Sequence, residues 1–179
     1  YEIIPNFSDG YLKYSSTLST KIDYDSKVIK LKQSNPGDWI LFVNTNLDEW
    51  TILFDGIKPG NKDSNIERIN NFGLTGCLNF YKSKFNDSSF KIRNGKCEDS
   101  INIINSEGMI DDIEITNAYS DGLDVDFSNI KFRSISIIKS GNDCLDVSAG
   151  KYDIAKIKAQ ECQDKGVSVG EKSKMNIDL

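Results

Sequence analysis

Five aspartates, one asparagine and one lysine recur at a spacing that can gather them into one patch. Asp121, Asp143 and Lys165 follow one another at intervals of 22 residues, and so do Asp124 and Asp146; Asp126 and Asn142 sit beside them. If 22 residues make one structural repeat, these side chains stack in columns. Like charges held one repeat apart repel, so such a stack should raise some carboxyl pKa values or recruit a cation. The leading column, Gly76, Asp99, Asp121, Asp143 and Lys165, also admits a plainer role, because Asp side chains at turns hydrogen-bond nearby backbone groups. A turn role does not suit Asp124 and Asp146, which fall inside apolar-polar alternation and should point outward from a strand.

The elements that must position these residues are visible in the same repeat. Asp99-Ser-Ile-Asn-Ile, Asp121-Gly-Leu-Asp-Val, Asp143-Cys-Leu-Asp-Val and Lys165-Gly-Val-Ser-Val are successive copies of one phrase, and Gly76-Cys-Leu-Asn-Phe precedes them by 23 residues. Within each, apolar and polar residues alternate with the period of a strand that has one buried face. Ile110, Phe132 and Ile154 form a further apolar column, and Phe90, Ile113, Ile135, Ile157 and Leu179 another. A period near 22 with several strand-like columns predicts an all-β solenoid, a right-handed parallel β-helix with three strands per coil. Leu78, Ile101, Leu123, Leu145 and Val167 should stack as one buried column, with Phe80, Ile103, Val125, Val147 and Val169 as its neighbour. Coils should lie ~4.8 Å apart.

The chain reads as a single domain of 179 residues, long enough for a sizeable core. Residues 1–26 lack a clean period and are expected to be an arm or a cap. Residues 27–72 read as irregular first coils, with Trp39 and Trp50 closing the bottom of the core and Lys58 to Asn65 projecting as a loop. Regular coils fill 73–179. Leu179 falls in an apolar column, so the last coil is expected to be uncapped and the natural chain to be longer. An open edge there would pair with further residues or with another chain. Cys77 and Cys144 share a column three coils apart, roughly 14 Å, as do Cys97 and Cys162. A disulfide needs Cα atoms within about 7 Å, so four buried free thiols are expected.

Composition removes several functions. The chain has no histidine, which excludes His general bases and His-ligated zinc. Its 27 acidic against 22 basic residues leave a net charge of −5, with only Arg68, Arg93 and Arg133 as arginines. A phosphate-tracking nucleic-acid surface is therefore not expected. No apolar run is long enough for a membrane span. The outward column carries no threonine ladder of the ice-binding kind.

Ser120-Asp121-Gly-Leu-Asp-Val, then Gly141-Asn142-Asp143-Cys-Leu-Asp-Val, then Asp164-Lys165-Gly-Val-Ser-Val-Gly resemble the active-site coils of the polygalacturonases, in the pectin-lyase-like β-helix superfamily. Those enzymes hydrolyse pectin by inversion, with motifs Asn-Thr-Asp-Gly, Gly-Asp-Asp-Cys and Gly-His-Gly. The resemblance makes Asp121 and Asp143 the catalytic candidates, with Asp124, Asp126, Asn142, Asp146 and Lys165 as substrate-binding candidates. It departs from the family at Asn142, where the general acid belongs, and at Lys165, where the histidine belongs. An amide cannot supply the acid that inverting hydrolysis needs. The superfamily also contains lyases that hold Ca²⁺ through outward carboxylates, which here would be Asp124, Asp126 and Asp146; Lys165 would be the base, although its acidic neighbours should raise its pKa. The resemblance implies a polysaccharide partner and an extracellular or cell-surface location. The alternative is an adhesin-type or scaffold solenoid with no chemistry. Tyr119 and Phe127 are the nearest aromatics for sugar stacking, and a groove walled by loops across the acidic columns would favour a carbohydrate site.

Overall fold

Apolar side chains alternating at period 2 can be buried only if each strand lays one face against a core, and the repeat does this by winding. The computed structural model describes residues 1–60 and 66–178. Five of the eight residues of the expected 58–65 loop, and Leu179 of the apolar column, lie outside the described residues. Among the described residues there is no helix, and about six turns of parallel β-helix stack on one another.

The N-terminal segment contributes β1 (Glu2–Phe7), β2 (Gly10–Tyr14), β3 (Ser19–Asp23) and β4 (Val28–Lys32), followed by β5 (Ile40–Val43), β6 (Asn46–Asp48) and β7 (Thr51–Asp55). Three coils follow as β8 (Gly76–Tyr81) with β9 (Lys84–Arg93), β10 (Asp99–Ile104) with β11 (Glu107–Ala118), and β12 (Asp121–Asp126) with β13 (Asn129–Ser140). The next coil is β14 (Leu145–Ser148), β15 (Lys151–Ile154) and β16 (Ile157–Cys162), then β17 (Val167–Val169) and β18 (Lys174–Ile177). One sheet runs β1-β2-β5-β8-β10-β12-β14-β17; the other runs β18-β15-β13-β11-β9-β7-β4-β3, with β16 on β13 and β6 on β9. The long strands β9, β11 and β13 bend and supply two sides of a coil. From β5 onward every pairing in the first sheet is parallel, whereas β1 with β2, β2 with β5, and β3 with β4 are antiparallel.

The two inward columns run through β8, β10, β12 and β14 as the repeat requires. Leu78, Ile101, Leu123 and Leu145 are buried, as are Phe80, Ile103, Val125 and Val147. β5 and β2 extend the columns downward through Ile40 and Tyr14, and through Phe42 and Leu12. At the other end Val167 is half-buried and Val169 is 51% exposed, because β17 is the last strand of its sheet. Phe42 stacks on Phe80 at 4.7 Å, and Trp50 packs 4.9 Å from Phe7 beneath the first coils.

Corners need a residue that turns the chain sharply, and the left-handed conformation supplies it. Asn44, Lys82, Asn105, Phe127 and Ala149 all have φ between 48° and 53°, one per coil, and Asn94, Asn117, Lys139 and Glu161 repeat the device at another corner. Beside the first corner lies a buried hydroxyl ladder. The Thr45 and Ser83 hydroxyls are 2.9 Å apart, and the N–H groups of Ser83 and Ser106 donate to the hydroxyls of Ser106 and Ser128 at 3.0 Å.

The cysteines overturn the expectation of free thiols. Cys77 is bonded to Cys97 and Cys144 to Cys162, each with Cα atoms 5.5 Å apart. The expectation compared cysteines in the same column three coils apart. The actual partners are 20 and 18 residues apart, slightly less than one coil, so each bond ties a residue to the chain that has almost completed its turn. Thiol titration of the unfolded, unreduced protein should find no free cysteine. Replacing Cys77 and Cys97 together by Ser should cost about 3 kcal/mol of unfolding free energy, the loop-closure value for a ring of this size.

Candidate functional site

Winding brings the seven candidate residues onto one flank of the first sheet, but in two different roles. Asp121 and Asp143 belong to the corner that enters each coil, and both are buried. The Asp121 carboxylate accepts the N–H of Asp143 at 2.8 Å, and the Asp143 carboxylate accepts the N–H of Lys165 at 2.8 Å. Each therefore satisfies the backbone of the coil above it. The Asn142 side chain hydrogen-bonds Asp121. Lys165 is exposed, lies 3.5 Å from Asp143 and pairs with Asp164. The hydrogen bond to Asp164, with the Asp143 charge behind it, raises the lysine pKa, which leaves it fully charged and unsuited to abstract a proton.

Asp99 starts the same column and is treated differently. The N–H of Asp121 goes to the carbonyl of Glu98 instead. The Asp99 carboxyl is only 2% exposed, and its Oδ2 has no hydrogen-bond partner among the described residues. Burial, reinforced by the charges of Asp121 and Glu98, pushes its pKa up to about 7.

The second group is the outward column. Asp124 and Asp146 are partners across β12 and β14, and Asn102 and Asn79 continue the column below. Asn102 donates to Asp124 at 3.0 Å. Burial, with the charges of Asp99, Asp126, Asp146 and Asp121 around it, pushes Asp124 up to about 8, and burial also raises Asp121. A neutral carboxyl at Asp124 can donate a hydrogen bond as well as accept one. Asp146 is half-buried, and no side chain or N–H among the described residues donates to its carboxylate. Asp126 accepts the hydroxyl of Ser148.

These carboxylates do not fit a calcium ion. Among the described residues no three acidic side chains converge on a metal-sized point, and Asn102 and Ser148 already occupy oxygens of Asp124 and Asp126.

The register also places aromatic side chains that the sequence reading missed. Tyr11, Val43, Tyr81, Ile104 and Asp126 are successive partners on one outward column, and both tyrosines are exposed. The signal of Tyr11 was hidden because β2 joins the sheet antiparallel, outside the repeat; Tyr81 follows the repeat, one position after Phe80 and in register with Asp126 through Ile104. Phe127, next to Asp126, is 61% exposed at a corner φ of 50°, an uncommon conformation for a bulky residue. A large groove lies elsewhere: a trough of about 750 Å³ on the second sheet, lined by none of the seven candidates.

No protein-family profile, no curated protein and no solved structure matches the chain. Among the described residues no helix is long and apolar enough to cross a membrane.

Two consequences can be measured. Asp99 and Asp124 bind protons more tightly in the folded protein than in the unfolded chain, where a carboxyl titrates near 4. Their contribution to stability is therefore complete below about pH 4 and is lost as pH rises toward 8. Asp124→Asn should raise the unfolding free energy at pH 8 by at least about 1 kcal/mol, or roughly 2–4 °C in melting temperature, and change it little at pH 4. Asp143→Ala should cost on the order of 1 kcal/mol by leaving the Lys165 N–H unpaired, and Asp143→Asn should restore most of it, as read by urea denaturation.

Proposed function

We propose that the protein binds polysaccharide through the outward columns of the first sheet, centred on Asp124 and Asp146. One observation carries this reading. The fold consumes the carboxylates of Asp121 and Asp143 in backbone hydrogen bonds, yet leaves the stacked outward pair largely uncommitted, at the electrostatic cost seen in Asp124. A carboxyl perturbed in this way is a candidate for a functional role. Beside the pair stand groups that suit sugar hydroxyls and ring faces: the half-buried Asn142 amide, with exposed Tyr81 and Phe127. Tyrosine and phenylalanine offer flat apolar faces at small entropic cost.

The charge of the face selects the ligand. Stacked carboxylates disfavour polyuronates, so the preferred class is neutral polysaccharide. Binding is favoured over inverting hydrolysis, because Asn142 stands where the resemblance places the general acid, and an amide cannot supply that proton. The coil phrases and the parallel β-helix support placement in the pectin-lyase-like superfamily, with its hydrolytic chemistry altered at Asn142 and Lys165. Two disulfides support an extracellular or cell-surface location, since such bonds persist in oxidising compartments.

A second reading, a non-catalytic scaffold or adhesin-type solenoid, draws on the turn bonds of Asp121 and Asp143 and on the position of the large trough on another flank. An array of neutral and acidic polysaccharides separates the two. The proposal expects retention on at least one neutral polymer. The Asp124→Asn/Asp146→Asn double variant should then weaken binding at least about tenfold, or 1.4 kcal/mol, without lowering the melting temperature. Retention on none, or binding indifferent to the double variant, transfers the assignment to the scaffold.

A further inference from the structure

One inward column of the second sheet reads Leu47, Phe85, Gly108, Ile130, Tyr152 and Met175, and Gly108 alone in it has no side chain. Its φ is +119°, and a Cβ there would meet the Phe85 carbonyl oxygen at 2.0 Å. The pairing of β9 and β11 also shifts register on either side of Ile110. Over this stretch lies a hollow of about 750 Å³, lined by Gly108, Met109 and the strands of Phe85 and Ile130, whose side chains are buried in the core.

A second hollow of about 570 Å³ shares Met109, Lys131 and Asp153 with the first. The combined trough crosses β6, β9, β11, β13, β15 and β18, five strand steps or about 24 Å along the solenoid axis. Its size falls within the range of ligand sites.

The lining selects a ligand class. The first hollow carries Lys84, Lys131 and Lys151 against Glu107 and Asp153, an excess of one positive charge, too little to follow a polyanion. Lys84 and Glu107 neutralise each other at 3.4 Å. Asn46, Asn86 and Asn129 add amides, which donate and accept alike. A peptide cannot add here as a further strand, because β9, β11 and β13 are paired on both sides. A trough centred on Gly108 and Met109, with amides and nearly balanced charges around it, complements an uncharged chain that is rich in hydroxyls.

We infer that this trough is a second binding site, separate from the acidic face, for a linear neutral glycan lying along the axis. The site does not depend on the assignment of Asp124 and Asp146.

Amide chemical shifts of the full chain, recorded during titration with cellohexaose, xylohexaose and maltohexaose, test it. At least one of the three should shift the amides of Gly108, Met109, Asn129 and Lys131 in a saturable way. Met109→Trp fills the trough and should weaken that response at least tenfold, whereas Asp124→Asn should leave it unchanged. Because Met109 adjoins that register shift, the Asn129→Ala/Lys131→Ala variant, altered only at exposed positions, provides a second check with the same expected loss. The inference is overturned if none of the three sugars moves these amides, or if both variants respond like the parent. Shifts confined to the strands of Asp124 and Asp146 would overturn it while leaving the acidic-face reading intact. Shifts in the trough alone would support it and remove that reading.

Discussion

Everything in this molecule depends on the coil-to-coil backbone ladder holding a fixed register. Each residue of β10 pairs with its equivalent in β8 and β12, so identical positions of the repeat lie one above another. A slip of a single residue would turn every inward side chain outward. The ladder therefore converts a linear period into columns of like residues, and a column of like residues is favourable or costly according to its chemistry. Stacked Leu, Ile and Phe exclude water. Stacked Ser hydroxyls close a hydrogen-bond chain at the corner. Stacked carboxylates repel.

The fold handles that repulsion in two ways. In the corner column, Asp121 and Asp143 point at backbone N–H groups of the coil above, and each charge is thereby solvated by the protein itself. In the outward column nothing comparable exists for Asp146, and Asp124 has a single amide partner. The energetic burden sits where five acidic residues meet, at Asp99, Asp121, Asp124, Asp126 and Asp146. An acid kept neutral there is a hydrogen-bond donor on an otherwise anionic surface, which is why the proposed binding role rests on this flank and not on the scattered charges elsewhere.

Irregularity is confined to places where it shapes a surface. Left-handed residues turn the coils, and one of them exposes Phe127 beside Asp126. A glycine without room for a Cβ lines the trough on the other sheet. The two disulfides close nearly complete turns, one at β8 and the other at β14 and β16, so the chain is pinned on both sides of the acidic coils.

By itself the sequence determined the all-β solenoid, the two inward columns from Leu78 and Phe80 upward, and the pairing of Asp124 with Asp146. All three follow from period and alternation, which a parallel ladder transmits without distortion. Tertiary structure alone decided the rest. Which carboxylates are consumed depends on where a corner aims its N–H groups, and corner geometry has no period-2 signature. The disulfides join positions in different columns less than one turn apart, so a comparison along columns could not find them. Tyr11 shares a face with Tyr81 and Asp126 only because β2 enters antiparallel and β5 joins β8 across a 32-residue gap between the strands. The trough draws its lining from five separate strands around Gly108. Each of these is a relation between segments that the repeat does not encode, and only the folded backbone brings them into contact.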